Sequence, residues 1–550
     1  MNFKKIVFLP FICLLISCGN NSNQHSAISE GGVSNGGFEN DLDYWTISSN
    51  VSIRKEQSFD GESSLRIGNG SSYDSYSKQS INNLKPGYYF LTAKSLNDGN
   101  QDYCYVYGKG SKQDEQMTSV PVSYDDQWRT VIVRGIKVES DGLLEIGLKA
   151  KGNNQYCYFD DVSLTLEKNQ DKEYPSLFGG AISWLDWEED MGAKYYDENH
   201  NEKDALEIMK ENGCNFVRLE LYNNPGHYVD KYGDYFPEGY KDQEAILALA
   251  KRAKSKGMEI QLSFMYSDYW GNDVIPYDWE EKINKLDTFD EKVNSLSESL
   301  YDWTRSYLER LKKENIQPQY VSIGNEIDPG ILMPYGSVYS EDRNRDVFAL
   351  FLNKGYQAVK EVFPTSQVVL HIGCNADDLH WESKSGTGIY FFNLIKEKSV
   401  NYDIIGTSFY PFWAQTDSEW AVKKKLDLND LKEWCELMID TFDKDILIME
   451  SGYNWGTPGQ LSNNGAYENI YLSSPQGQRD FVIDLINTIK SVKDGRCIGD
   501  LYWDPILVRQ NGIGYALHND GQARPNVVET TTFFDYNHIA LPVLKAYKYN

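Results

Sequence analysis

From residue 177 onward, short apolar runs alternate with longer amphipathic ones, and this alternation constrains the fold more than any other feature of the chain. Eight runs read as strands: 178–184, 216–222, 259–265, 320–325, 368–373, 404–409, 446–450 and 498–503. The intervening stretches have helical periodicity. Residues 203–212 stop at Gly213. Residues 242–256 place Ala245, Ile246, Leu249, Ala250 and Ala253 on one face and stop at Gly257. Residues 289–314 do the same with Val293, Leu296, Leu300, Trp303 and Leu311. A glycine just past the last periodic residue is a helix stop signal. Strands alternating with helices imply a parallel sheet. Eight such units imply a closed (β/α)8 barrel, an α/β fold whose active residues sit at the C-terminal ends of its strands.

Two strand ends carry a carboxylate. The fourth runs Val321-Ser322-Ile323-Gly324-Asn325-Glu326 and the seventh Ile446-Leu447-Ile448-Met449-Glu450. Desolvating a carboxylate is costly, so a buried strand has no structural use for one at its end. Two facing each other across a barrel mouth are expected to drive one pKa upward by burial and mutual repulsion. The result is one protonated acid and one ionised carboxylate, the division of labour that glycoside hydrolysis needs.

Residues 35–166 have a different texture, with short alternating runs at 51–53, 64–67, 88–93, 103–107, 130–133, 143–148 and 156–166. Turn pairs such as Asp60-Gly61, Pro86-Gly87 and Asp141-Gly142 separate them, a spacing that predicts an all-β sandwich. The opening Asn35-Gly36-Gly37-Phe38-Glu39 with Trp45, and the closing Tyr158-Phe159-Asp160-Asp161-Val162-Ser163-Leu164, resemble jelly-roll carbohydrate-binding modules. Tyr103, Tyr105 and Tyr107 share one face of a strand, as a sugar platform or as ordinary packing. The charged segment 167–176 reads as a linker.

The first 18 residues read as a lipoprotein signal peptide. Lys4 and Lys5 precede an apolar run, 6–16, too short to span a membrane. Leu15-Ile16-Ser17-Cys18-Gly19 resembles the bacterial lipobox, which implies lipidation of Cys18. Residues 19–34 form a flexible tether. The expected location is the cell envelope, with the lipid in the outer membrane and the protein at the cell surface. A net charge of −27 repels phosphate backbones and excludes nucleic acid as a partner. Of the eight cysteines, none shows metal-ligand spacing. Cys104 and Cys157 lie in strand-like runs where they could pair, whereas Cys214, Cys374, Cys435 and Cys497 read as buried thiols.

Asn-Glu on strand four with Glu on strand seven resembles the large barrel clan of retaining glycosidases. That resemblance implies Glu326 as acid/base, Glu450 as nucleophile and Asn325 as the holder of the sugar 2-hydroxyl. Further motifs are similar to endo-β-1,4-galactanases of glycoside hydrolase family 53. They are Gly179-Gly180-Ala181-Ile182-Ser183-Trp184 with Glu188-Glu189, Cys214-Asn215-Phe216-Val217-Arg218-Leu219 with Tyr222-Asn223-Asn224-Pro225, Tyr266-Ser267-Asp268 with Trp270, Gly406-Thr407-Ser408-Phe409-Tyr410-Pro411-Phe412-Trp413, Glu450-Ser451-Gly452-Tyr453-Asn454-Trp455, and Phe533-Phe534-Asp535. The resemblance covers about 177–548. It implies cleavage of β-1,4-galactan side chains of pectin with retention of configuration. It also implies that Arg218 braces Glu450 and keeps it ionised, that Trp503 floors the reacting sugar, and that Tyr410, Trp413, Trp455 and Asp268 contact sugars. Polysaccharide is the expected partner, and a monomer the expected state.

The chain departs from the family at several points. Ala181 stands where many members have Asp, Ser263 and Met265 where many have the Asp and His of DFHYSD, and Asp504 where many have the Glu of YWEP. Strands one and three feed the same interior layers, so Ala181, Ser263 and Met265 are expected to have changed together, an Asp–His network giving way to smaller or apolar filling. Some members carry a structural calcium after strand seven. The loop 460–469 here lacks most of the acidic ligands that a hard cation prefers, so no calcium is expected, and the reaction needs no cofactor. The competing readings are another retaining endo-glycanase of the clan, a mannanase or xylanase, or an inactive glycan-binding lipoprotein. The intact Asn325, Glu326 and Glu450 argue against the last.

Overall fold

The computed structural model describes residues 32–170, 177–373, 388–411, 427–456 and 470–550. Cys18, Cys374, Trp413 and the loop 460–469 lie outside the described residues. Within it, eight strands close into a parallel barrel in sequence order: β1 (Leu177–Ala181), β2 (Phe216–Leu221), β3 (Glu259–Phe264), β4 (Tyr320–Ile323), β5 (Gln367–Ile372), β6 (Ile404–Phe409), β7 (Asp445–Ser451) and β8 (Cys497–Tyr502). Each expected run overlaps one of them. Helices α1 (Ala205–Glu211), α2 (Gln243–Ser255), α3 (Phe289–Lys313), α4 (Asp342–Val362), α5 (Gly388–Glu397), α6 (Leu428–Phe442), α7 (Pro475–Ser491) and α8 (Leu544–Lys548) follow the strands in turn. Their ends are chemically specified. The Asp242 side chain accepts from the Glu244 and Ala245 amides at the start of α2, and Thr288 with Glu291 forms a capping box on α3. Gly213 and Gly257 take the left-handed conformation just past α1 and α2, as the stop signals predict.

Because side chains alternate along a strand, each barrel strand has two jobs. Val217, Leu219 and Leu221 of β2 and Ile446 and Ile448 of β7 face outward into the helix layer. Leu177, Phe216, Tyr320, Val369, Ile404, Leu447, Met449 and Ile498 form a separate inner cluster that plugs the barrel interior. Each such apolar side chain, fully buried, contributes about 1.5–3 kcal/mol. Above this plug the interior turns polar, with Arg218, Glu220, Gln261, Ser263 and His371 all buried.

The sandwich consists of two five-stranded antiparallel sheets. Its core includes Phe38, Trp45, Leu65, Ile67, Val106, Leu148 and Phe159. Sequence reading missed one long strand, Ser72–Ile81, because between the buried Tyr73 and Ile81 its inward side chains are Ser75, Ser77 and Gln79 rather than a continuous hydrophobic row.

The sandwich docks on the barrel through α7. Arg479 donates to the Gln101 carbonyl (3.1 Å), Asn487 to that of Ser119 (3.0 Å), and the Lys490 ammonium to Met117 O (3.1 Å) and Thr118 Oγ1 (2.8 Å). Arg134 returns a bond to Lys490 O (2.7 Å). Tyr105 stacks on Tyr549 near the C-terminus at 5.1 Å, and Tyr103 packs beside it. Tyr105 and Tyr107 are each only 4% exposed. The tyrosine row is therefore a packing surface and not an open sugar platform. Cys104, Cys157, Cys214, Cys435 and Cys497 are buried free thiols, with Cys104 beside Cys157.

Candidate active site

The polar upper half of the barrel opens into a cavity of about 540 Å³ lined by Met265, Trp270, Asn272, Asn325, Glu326, Asp328, Tyr410, Glu450 and Trp503, among others. This size suits a ligand-binding cleft.

Glu450 does not reach the cavity by simple alternation. Leu447 and Met449 both point inward, so the next residue would face out. The β6–β7 register slips at this point: Thr407 pairs with Ile448, but Ser408 pairs with Glu450. Met449 is the extra residue of a bulge, and a bulge re-aims the side chain after it. Glu450 thereby faces the interior, 6% exposed. Glu326 lies beyond the end of β4 in a left-handed backbone conformation (φ 45°), as do Lys241 (56°), Tyr266 (51°) and Asp504 (43°) around the same barrel mouth. Non-glycine residues in this conformation cluster at functional sites, held by their surroundings.

Arg218, fully buried, joins the two strand ends. Its Nη1 lies 2.6 Å from Glu450 Oε1, and its Nη2 donates to Asn325 Oδ1 at 2.6 Å. The Tyr410 hydroxyl donates to Glu450 Oε2 at 2.8 Å. Both Glu450 carboxylate oxygens are thus fixed. With its Oδ1 occupied by Arg218, Asn325 is left with its amide NH2 to offer a ligand.

Hydrogen-bond polarity identifies which carboxyl holds a proton. Asn325 Oδ1 can only accept, so His371 Nδ1, 2.8 Å away, is the protonated ring nitrogen. Burial, then the Arg218 charge, pushes the His371 pKa well below the usual value, so the ring is neutral and Nε2 accepts. Its partner at 3.0 Å is Ser408 Oγ, whose single hydrogen goes to that nitrogen. Ser408 Oγ also lies 2.7 Å from Glu326 Oε1, and this contact is attractive when Glu326 supplies the hydrogen. Burial first, and then the Glu450 carboxylate, push the Glu326 pKa up to about 8, outweighing the Ser408 hydroxyl, which as a donor would lower it. A group that must be protonated to act as an acid loses function as pH rises through its own pKa. The kcat/KM profile is therefore expected to hold through neutral pH and to fall with a basic limb near pH 8. A basic limb below pH 6 would remove Glu326 as the acid.

Ligand atoms of Glu326, His371 and Glu450 lie within 4.8 Å of one another, a convergence that a cation could use. Arg218 already places a fixed positive charge against Glu450, and both His371 nitrogens are engaged, so the cluster fits a carboxyl pair better than a metal centre.

Of the residues expected at the site, Arg218, Asn325, Glu326, Tyr410, Glu450 and Trp503 converge, with the Tyr410 and Trp503 rings 5.8 Å apart. Two others are corrected. Asp268 is 1% exposed and accepts from the Asn224 and Tyr277 amides (both 2.7 Å), clamping two loops together rather than facing a sugar. Trp455 is 7% exposed, packed on Tyr536 and bonded to Thr532 Oγ1, away from the cavity lining. Trp413 and Cys18 lie outside the described residues. The departures are corrected in part. Ala181 pairs in register with Arg218, and Ser263 Oγ accepts from Arg218 Nε (3.3 Å), so these two do flank one interior layer. Met265 sits higher, in the cavity wall. The interior is not apolar, however. Glu220 and Lys241 form a buried ion pair there, and Asp504 joins them with its pKa raised to about 7, chiefly by burial. Sequence reading missed Glu220, Lys241, Ser408 and Asp328. An inward-facing Glu on a strand with Arg two residues before it was the one available signal.

The sequence profile of glycosyl hydrolase family 53 matches residues 177–547. The chain is 28% identical to the arabinogalactan endo-beta-1,4-galactanase of Thermothelomyces thermophilus over 60% of this chain and 91% of that protein. It is 29% identical to the enzyme of the same name from Cellvibrio japonicus, over 61% and 81%. Among solved structures, the GH53 catalytic domain of Ignisphaera aggregans superposes with a TM-score of 0.57 at 29% identity, covering 69% of this chain and 98% of that one. The barrel, the paired carboxyls at its mouth and the profile match across both agree, and the chain belongs to glycosyl hydrolase family 53 as a glycoside hydrolase.

Proposed function

We propose that this chain is a retaining endo-hydrolase of β-1,4-galactosidic bonds in the galactan side chains of pectin. The observation that carries the reading is the Glu326–Glu450 pair, one carboxyl in a proton-holding environment and the other clasped by Arg218 and Tyr410, within 4.8 Å of each other. Retaining glycosidases keep their carboxyls about 5–5.5 Å apart, too close to admit a water for direct inversion. The galactan specificity is supported by the substrates in the relatives' names.

In this mechanism Glu450 attacks the anomeric carbon while Glu326 gives its proton to the departing glycosidic oxygen. A covalent glycosyl-enzyme forms and the leaving chain departs with its new hydroxyl. Glu326, now a carboxylate, takes a proton from water, which attacks the anomeric carbon and frees Glu450. Two inversions give net retention. Asn325 offers its amide to the 2-hydroxyl, and Trp503 and Trp270 supply flat apolar walls for sugar rings. The reaction draws on no cofactor.

We also read the chain as exported and anchored by lipid on Cys18, with residues 19–34 as tether and the barrel at the cell surface, where a large polymer can reach it. Among the described residues no helix is long and apolar enough to cross a membrane.

The test is incubation of purified residues 19–550 with linear β-1,4-galactan, mannan and xylan, following the anomeric protons of the first products. Short galacto-oligosaccharides appearing first as the β-anomer are expected. First products in the α form would overturn retention, activity on mannan or xylan alone would overturn the substrate, and no activity on any would favour a binding protein.

A further inference from the structure

Behind the catalytic pair runs a line of alternating charges. Lys241 Nζ lies 2.6 Å from Glu220 Oε2. Glu220 Oε1 lies 3.3 Å from Arg218 Nη1, and Arg218 Nη1 lies 2.6 Å from Glu450 Oε1. The four side chains are 0%, 1%, 0% and 8% exposed. A buried charge is tolerated when it is paired, and this row of two cations and two anions sums to zero. It comes from three separate places: a turn before α2, two inward positions of β2, and the bulged end of β7.

Lys241 is built into this position. It sits in the left-handed conformation at φ 56°, and its carbonyl accepts from the Tyr222 amide (3.0 Å). Its ammonium lies over the faces of Trp184 (4.1 Å) and Trp270 (4.9 Å), where a cation is attracted by the ring quadrupole. Trp270 is itself a wall of the cavity. Glu220 is held below the usual carboxylate range by Lys241 and Arg218, in spite of its burial. Asp504, Glu188, Tyr222, Tyr410, Glu326 and His371 are the other titratable groups around the row. Asp504 Oδ1 is buried without a hydrogen-bond partner, and Glu188 has at most the Val508 amide. Burial first, and for Glu188 then the nearby Asp504, raise these two to about 7 and about 9.

We propose that Lys241 and Glu220 are a positioning pair for the nucleophile, acting through Arg218. Glu220 and Glu450 share Nη1 of the Arg218 guanidinium while Nη2 meets Asn325, so Glu220 helps to hold the guanidinium in place, and Lys241 neutralises Glu220 so that Nη1 remains free to pair with Glu450. Without Lys241, Glu220 competes with Glu450 for the same guanidinium. Without Glu220, Lys241 is an unpaired cation under the sugar-binding wall. This inference rests on the reading of Glu450 as nucleophile.

The test compares the wild type, Lys241→Met, Glu220→Gln and the double variant by steady-state kinetics on linear β-1,4-galactan, with thermal unfolding alongside. Each single change is expected to lower kcat about 100-fold, the cost of misplacing a reacting group by about 1 Å, with KM changed only a few-fold. The double variant removes both charges and leaves no lone ion, so it is expected to recover at least about ten-fold over either single. Additive losses, or kcat unchanged in the folded singles, would overturn the proposal. Should Lys241→Met not fold, Glu220→Gln against the double decides: a double variant no more active than Glu220→Gln overturns it. A wild type that cleaves only another β-glycan refutes the substrate, and the same comparison on that glycan then judges the pair. A wild type that turns over no glycan refutes both.

Discussion

Glu450→Gln is expected to lower kcat on the order of 10⁵-fold, the scale seen when an enzyme loses its nucleophile, while the chain still folds. The amide keeps the shape of the side chain but cannot form a glycosyl-enzyme that water hydrolyses. With its oxygen on Arg218 (2.6 Å), its NH2 faces Tyr410 and can only donate to that hydroxyl, so the 2.8 Å contact survives only with its direction reversed. Arg218 also loses an anion. Removing one partner of a buried ion pair costs about 3–5 kcal/mol, an upper bound here because Glu220 remains 3.3 Å from the same guanidinium. A lower unfolding midpoint should therefore accompany the loss of turnover. Circular dichroism with kinetics on β-1,4-galactan checks both. Activity within ten-fold of the wild type would mean that the nucleophile is elsewhere.

Glu326→Gln should behave differently. General acid catalysis is worth about 10²–10⁴-fold, so loss of that size is expected on the polymer, whose departing sugar needs a proton. An aryl β-galactoside with an acidic phenol leaves without one, and its first step should be nearly unaffected. The intermediate then accumulates, because the base for the second step is missing, giving a burst of phenol and a galactosyl adduct on Glu450 visible by mass. Equal losses on both substrates would assign Glu326 a structural role. This variant also removes the proton that the Ser408–His371–Asn325 chain is oriented to receive, so the basic limb near pH 8 should vanish with it.

Much of this site was legible in the sequence because a strand leaves a simple imprint. Apolar runs of the right length between helical stretches locate all eight barrel strands, and a Glu just beyond two of them locates the chemistry. The sandwich was legible for the same reason wherever its core is apolar. It was not legible at Ser72–Ile81, where two serines and a glutamine separate the inward Tyr73 and Ile81. Asp268 and Trp455 were misjudged because a motif records that a residue matters and not which way it points. One ties two loops by backbone amides and the other packs on Tyr536.

What the sequence determined by itself was periodicity and order: a parallel barrel of eight units after an all-β region, with carboxylates on the fourth and seventh strands. What only the tertiary structure decided was direction and partnership. Glu450 faces inward because the β6–β7 register slips by one residue, and register is a property of two strands together. Glu326 keeps its proton because the fold buries it and brings the Glu450 carboxylate toward it from the seventh strand. Lys241 meets Glu220 because a turn folds over the barrel mouth, 21 residues along the chain. Contacts of this kind depend on distances in space between residues remote in sequence, and local patterning carries no record of them.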